Sequence, residues 1–281
     1  MRILSNAKIN LNLMIKGTTN NGYHDLYSVV APISLCDEIN IKINNTGSVK
    51  IVCNDETIPT DDKNIITKSI EKMRTIFKFD YGFEIELNKT IPTEAGLGGG
   101  SSNGAAVLLA LNEMLNLNLT TQQLVEIGVE IGADVPFFIY NKIAVMEGVG
   151  NFITPFEAEC FKPFVLLVKP KKGVLTRKAF ELYDKTPKTK EIIKPILHEL
   201  ISENKIEDIS YYLKNDLERA AIQLNLDIEK ILEFFRKDNI PCSMSGSGSC
   251  CFALFFNESD IKKYYNKFEK EGFFVKITKI I

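Results

Sequence analysis

The stretch that most restricts this chain is PTEAGLGGGSSNGAA, residues 92–106. It holds five glycines within nine residues and runs straight into VLLALNEML, a strong helix former. Glycine loses more backbone freedom on folding than any other residue, so a cluster this dense requires a reason. A flexible linker would sit between domains with polar flanks. Here the upstream YGFEIELNKTI alternates like a strand and the downstream segment is helical, so the glycines lie in a strand-to-helix connection. Ser101, Ser102 and Asn103 are placed to cap a helix expected over roughly 102–116. A helix N-terminus offers unsatisfied N–H donors and the positive end of the dipole, which together attract phosphate. One glycine would read as a steric turn. Five point to a backbone that closes on phosphate, with Gly99 expected at positive φ.

The familiar phosphate loops do not fit. A Walker loop needs Lys followed by Ser or Thr after its last glycine, and none is present. The dinucleotide spacing G-x-G-x-x-G would require glycine at Asn103 or Ser101. Protein-kinase H-R-D and D-F-G signatures are absent. Charge neutralisation must therefore come from elsewhere in the chain.

Around this loop, residues 3–16 alternate: Ile9, Leu11, Leu13 and Ile15 share one face, and Lys8, Asn10 and Asn12 the other. YSVVAPISL and EINIKI read as two further strands. Residues 61–77 carry helical spacing in Ile65, Ile66, Ile70, Met73 and Ile76, and a second helix is expected over 121–131. KIAVMEGVG, FKPFVLLVKP, CCFALFF and FFVKITKI supply later strands. A helix is expected near 259–271, and the stretch up to Asn239 reads as mostly helical. MSGSGS is expected to join a helix to CCFALFF, and Asn215 with Glu218 to form a capping box. The mixture predicts an α+β chain of two domains, 1–158 and 159–281, with a ligand in the cleft between them.

A net charge of −2 gives no basic footprint for nucleic acid and no polybasic membrane patch. No apolar run approaches the ~18 residues a membrane span needs, and the start of the chain lacks a signal-peptide pattern. The six cysteines are scattered without a C-x-x-C pair, which favours free thiols over zinc. These features predict a soluble, cytoplasmic protein.

PTEAGLGGGSSNGAA resembles the ATP loop of the GHMP kinases, the family of galactokinase, homoserine kinase, mevalonate kinase and phosphomevalonate kinase. AKINLNL near the start and MSGSGSCCFALF near the end agree with that family in order and spacing. NGYHDL, IGADVPFF and EGVG resemble the branch whose acceptor is an alcohol linked to cytidine diphosphate. The resemblance covers nearly the whole chain. It implies the two-domain α+β fold of the family, each domain a mostly antiparallel sheet packed with helices. It also implies ATP and Mg²⁺ as cofactors, and a small-molecule substrate, cytidine diphosphate-linked methylerythritol. The expected protein is a monomer or weak homodimer. Rival readings are another small-molecule kinase of the family, of homoserine or mevalonate type, or a nucleotide sensor that keeps the fold without catalysis.

The resemblance assigns roles residue by residue. Pro92, Thr93, Glu94, Ala95, Gly96, Leu97, Gly98, Gly99, Gly100, Ser101 and Ser102 form the ATP loop, and Asn64 contacts the nucleotide, although a helix N-cap explains Asn64 equally well. Lys8 becomes the active-site lysine and Asn10 a substrate contact. Without the family, Lys8 on a polar strand face reads as solvated. Asp134 becomes the general base, although an N-cap on the following short element fits it too. Tyr23 is expected to stack on cytosine, with Phe180 opposite. His24 reads the base edge, while Thr176 and Val149 line the same pocket. No Walker-type acidic residue is evident for Mg²⁺, so Ser101 or Ser102 would assist through the phosphates. Ser249-Cys250, Asn141-Lys142, Asn151 and Ala31-Pro32 depart from the family pattern, which bears on loop geometry and affinity.

Overall fold

A computed structural model describes residues 1–19, 21–186, 196–205 and 209–281. The expected helical stretch before Asn239 falls partly on 187–195 and 206–208, outside the described residues. The first elements are β1 (Arg2–Asn10), β2 (Met14–Thr18), β3 (His24–Asn44), β4 (Val49–Cys53), α1 (Ile65–Phe77), β5 (Gly82–Asn88) and α2 (Gly99–Met114). Then come α3 (Thr121–Val129), α4 (Val135–Tyr140), β6 (Ala144–Gly148), β7 (Phe152–Pro155), β8 (Phe164–Lys169) and α5 (Thr176–Lys185). The chain ends with α6 (Leu197–Ser202), α7 (Ile209–Tyr212), α8 (Glu218–Leu224), α9 (Asp227–Lys237), β9 (Cys242–Met244), β10 (Cys251–Phe255), α10 (Ile261–Lys270) and β11 (Phe274–Lys279). Among the described residues no helix is long and apolar enough to cross a membrane.

Contacts divide the chain into two interleaved units. One holds Met1–Ala7, Leu35–Pro92 and Gly98–Asn141; the other holds Lys8–Ser34, Thr93–Leu97 and Lys142–Ile281. The sequence boundary near residue 158 falls inside the second unit, between β7 and β8.

In the first unit β5 pairs antiparallel with the later half of β3 and parallel with β4. The alternation of β5 emerges directly: Phe83, Ile85 and Leu87 are buried while Glu84, Glu86 and Asn88 are exposed. Helix α1 begins at the Asn64 cap and buries Ile66, Ile70 and Met73, one apolar stripe of a 3.6-residue period. It packs on α2, where Gly104 leaves the space: a Cβ there would lie 3.1 Å from Ile65 Cγ1 and Ser69 Oγ. Helix α3 starts with a capping box between Thr120 and Gln123.

In the second unit β2 and β6 both pair antiparallel with the early half of β3, and β6 pairs with β7. A separate four-stranded antiparallel sheet runs β11-β8-β10-β9. Its centre, β8, has Val165 through Val168 all buried, as a strand covered on both faces should. Helices α9 and α10 supply Phe235, Tyr264 and Phe268 to its core, with tilted rings 5.3–5.5 Å apart.

Several expected boundaries move. YSVVAPISL and EINIKI are one 21-residue strand, β3. MSGSGS follows the short strand β9 and forms a hairpin connection to β10, so it does not leave a helix directly. Asn215 and Glu218 make no capping box: Asn215 Oδ1 accepts from Leu217 N, and Glu218 pairs with Arg236 at 2.8 Å.

Candidate active site

The end of β1 carries the first half of the site. Ala7 through Leu11 are all buried, so Lys8 (4% exposed) and Asn10 (1%) lie under cover, against the solvated reading of Lys8. Lys8 Nζ donates to Asn10 Oδ1, and Asn10 Nδ2 donates to Ser28 Oγ at 2.8 Å. Asn12 continues the row, its Oδ1 accepting from Val29 N at 2.6 Å. A buried ammonium with a polar escort is costly to build, and the escort fixes where the cation sits.

The backbone of that strand is tied to the glycine loop. Lys8 N–H donates to Leu97 O at 3.0 Å, and Asn10 N–H donates to Ser245 Oγ, which donates in turn to Gly96 O at 2.9 Å. The serine–glycine hairpin completes the stack. Ser249 N–H donates to Glu94 O, Cys250 N–H to Ala95 O, and Asn215 Nδ2 clamps Met244 O and Gly246 O at 2.7 Å each. These backbones meet at glycine distances. A Cβ on Gly96 would sit 2.0 Å from Ser245 O, and one on Gly246 3.1 Å from Gly96 O. Burial pushes the Cys250 thiol up to about 12, so its sulfur packs and does not act as a nucleophile. Burial likewise holds the Lys169 ammonium below the usual lysine range, against the pull of Cys250 and Glu94.

The loop's conformation corrects two expectations. Positive φ occurs at Glu94 (50°), Gly96 (72°) and Gly98 (70°), whereas Gly99 is helical. Gly99 is needed for packing instead, because a Cβ there would lie 2.9 Å from Ile91 Cγ2 and 3.1 Å from Lys89 Nζ. Helix α2 starts earlier than expected, with Gly98 at its N-cap position and no side-chain cap. Ser102 and Asn103 are therefore inside the helix and buried. Ser5 Oγ donates to Ser102 Oγ at 2.7 Å, and Asn103 Nδ2 reaches Ser5 Oγ and Asp37 Oδ2 at 2.9 Å each. Spacing alone gave no sign of Asp37 or Lys89. Buried Asp37 accepts from Lys89 Nζ, from the backbone N–H of Thr90 and Ile91 at 2.8 and 2.9 Å, and from Asn103. One carboxylate thus pins the segment entering the loop to the first turns of α2.

Asn64 takes the N-cap of α1: its Oδ1 accepts from Ile66 N at 2.8 Å and its Nδ2 donates to Pro59 O. Asp134 occupies the N-cap position of α4 but its side chain makes no capping bond, so the structural explanation offered for it fails. Asp134 is half-buried and is followed in the chain by the buried Val135 and Pro136. Asn141 ends α4 at φ 46°, a conformation asparagine tolerates better than other non-glycine residues, which accounts for its standing where glycine is common.

The expected base pocket is assembled only in part. His24 stacks on Phe180, ring centroids 4.7 Å apart at 27°, and its Nε2 lies 2.8 Å from Asp184 Oδ1. Phe180 rests on the second unit's core. Tyr23 is 66% exposed, and among the described residues no ring lies on it. Thr176 Oγ1 is 2.8 Å from Ser247 Oγ, tying α5 to the serine–glycine hairpin. Val149 is exposed, in a turn held by Asn151 Oδ1 accepting from its N–H. Among the described residues no three His, Cys, Asp or Glu side chains gather as a metal site.

A buried lysine thus lies beside the glycine loop, and no Walker lysine follows that loop. Models of the GHMP kinases N terminal domain and of the GHMP kinases C terminal domain match residues 64–142 and 195–273. The 4-diphosphocytidyl-2-C-methyl-D-erythritol kinase of Clostridium acetobutylicum is 35% identical, with the whole of both chains covered. The chain belongs to the GHMP kinase family, on its 4-diphosphocytidyl-2-C-methyl-D-erythritol kinase branch. A crystal structure of 4-(cytidine 5'-diphospho)-2C-methyl-D-erythritol kinase superposes with a TM-score of 0.80 at 26% identity, all of both chains covered. Homoserine kinase from Cytophaga hutchinsonii reaches 0.78 at 18% identity over all of this chain and 94% of that one, a likeness of fold alone.

Proposed function

We propose that this protein transfers the γ-phosphoryl group of ATP to the 2-hydroxyl of 4-diphosphocytidyl-2-C-methyl-D-erythritol, in the non-mevalonate route to isoprenoid precursors. The observation that carries the reading is full-length identity of 35% to a kinase of that name. The buried Lys8–Asn10 pair, hydrogen-bonded through its backbone to Leu97 and, by way of Ser245 Oγ, to Gly96 of the glycine loop, supports it.

The mechanism follows from what each group can do. The first N–H groups of α2 and the dipole behind them receive the phosphates. Lys8, fixed by Asn10, neutralises charge building on the moving phosphoryl group. Asp134 takes the proton from the acceptor hydroxyl. A bound Mg²⁺ would supply charge neutralisation at the phosphates of the nucleotide. Hard oxygen donors suit it, and Ser101, half-buried in the first turn of α2, would be the candidate to hold it, because Ser102 is buried against Ser5. A cytoplasmic enzyme acting as a monomer or weak homodimer on a small-molecule substrate goes with this reading, and the net charge of −2 offers no basic footprint for nucleic acid.

ADP release measured with the cytidylyl alcohol, homoserine and mevalonate tests the reading: turnover is expected with the first alone, and turnover with either of the others in its place overturns it. Lys8→Met should lower kcat by about 10²–10³-fold with a much smaller rise in KM. An effect confined to KM would assign Lys8 to binding. Tyr23→Ala should weaken the cytidylyl substrate about 5- to 150-fold, the equivalent of a ~1–3 kcal/mol stacking face, and leave the KM for ATP unchanged. Tyr23→Phe should be mild. Equal losses for both substrates would remove Tyr23 from the base pocket.

A further inference from the structure

Helix α5 presents three side chains to one histidine. Phe180 and Asp184 are four residues apart and so share a helix face. Phe180 lies flat on the His24 ring, Asp184 meets its Nε2 at 2.8 Å, and Tyr183 stands edge-on to it at 6.0 Å. His24 opens β3, paired with Thr18 across the β2–β3 hairpin, so its backbone is held by a sheet and its ring by a helix. His24 and α5 lie in the same unit.

A carboxylate can only accept, so the hydrogen in this contact belongs to Nε2. In the neutral ring that leaves Nδ1 as a bare acceptor, and none of the described hydrogen bonds uses it. Cytosine and uracil differ at the matching edge: cytosine offers an exocyclic amine, a donor, where uracil offers a carbonyl, an acceptor. We infer that Asp184 is a positioning residue that locks His24 in the Nε2–H tautomer, so that Nδ1 accepts from a cytosine amine and turns away uracil. The inference rests on the cytidylyl-substrate reading above. It assigns base specificity to a residue that would touch no substrate atom. A site built to hydrogen-bond one donor rejects the analogue lacking it, because an acceptor is then left facing an acceptor.

The test compares the cytidine diphosphate-linked alcohol with its uridine diphosphate-linked counterpart, using wild type and Asp184→Asn. Wild type should prefer the cytidylyl compound about 10- to 100-fold in kcat/KM. An asparagine amide can turn either its oxygen or its NH₂ toward Nε2, so both tautomers become available. In that variant the preference should fall to within about threefold, through KM, with kcat on the cytidylyl substrate changed less than about twofold. The chain has two histidines, so ¹⁵N-histidine spectra recorded at about pH 8.5, with His198→Gln to assign them, read the tautomer without any turnover. Wild type should show His24 with hydrogen on Nε2, and Asp184→Asn a mixture. A preference retained in Asp184→Asn, or an equal rise in KM for both compounds, overturns the tautomer lock and leaves the cytidylyl activity standing. A wild type that turns over both compounds equally also overturns it. No turnover of the cytidylyl compound by wild type would sink the proposed function and this inference together.

Discussion

Asp134→Asn is expected to bind ATP and the cytidylyl alcohol nearly as wild type does, while losing about 10²–10⁴-fold in kcat. The substitution keeps shape and volume and removes only the capacity to accept a proton. The structure sharpens the expectation, because the alternative duty of this side chain would be to cap α4, and no such bond exists. A capping residue changed to asparagine would cost almost nothing, since asparagine caps as well as aspartate. The two roles therefore predict opposite results from one variant. Steady-state kinetics combined with calorimetric binding separates them. A kcat within a few-fold of wild type would remove Asp134 from proton transfer, and loss of binding with stability intact would make it a ligand contact.

What the sequence revealed of the fold was whatever one face of one element encodes. The alternation of GFEIELN and the stripe Ile66, Ile70, Met73 on α1 could be read because burial follows the period of the element. Punctuation misled where tertiary bonding overrides it. YSVVAPISL and EINIKI read as two strands with Cys36-Asp37 between them, yet β3 runs through both without a break. Pro32 O accepts from Ile281 N–H near the end of the chain, a bond no local pattern contains. Ser101 to Asn103 looked like caps, yet Gly98 in the left-handed region starts α2 three residues earlier. A strand as short as β9 has too few residues to show a period at all.

The site divides along the same line. Periodicity put Lys8, Asn10 and Asn12 on one face, and that much holds. It could not reveal that this face is covered as well, because burial of a polar face depends on partners such as Ser28, distant in sequence. The Asp37–Lys89 pair spans 52 positions, and Asp184 meets His24 across 160. Such pairs have no spacing rule. Residue type announced the glycine loop and the family resemblance pointed to the lysine and the aspartate, while the groups that hold the loop and the lysine in place emerged only with the coordinates.

Gly96→Ala is expected to be the most damaging single-methyl change in the loop. Two independent penalties meet at this position. Its φ of +72° lies where an L side chain is strained, a cost of about 1–3 kcal/mol. A Cβ would also stand 2.0 Å from Ser245 O and 3.3 Å from Gly248 N, both backbone atoms, so no side-chain rotation relieves the overlap. Forced overpacking of this kind costs about 1–3 kcal/mol more. Relief requires the serine–glycine hairpin to withdraw, which stretches the Ser245 Oγ bond to Gly96 O and loosens the Asn10 N–H bond to the same hydroxyl. The injury then passes to the strand that carries Lys8. A stability loss of about 2–6 kcal/mol should appear as a lower Tm, and whatever protein stays folded should show reduced kcat because its lysine is no longer held. Gly100→Ala is the control, since a Cβ on Gly100 meets nothing within 4 Å. It should leave Tm within a degree or two, alanine being the better helix former. If Gly96→Ala and Gly100→Ala proved equally harmless in thermal unfolding and in kcat, close backbone packing of the loop would not be what positions Lys8.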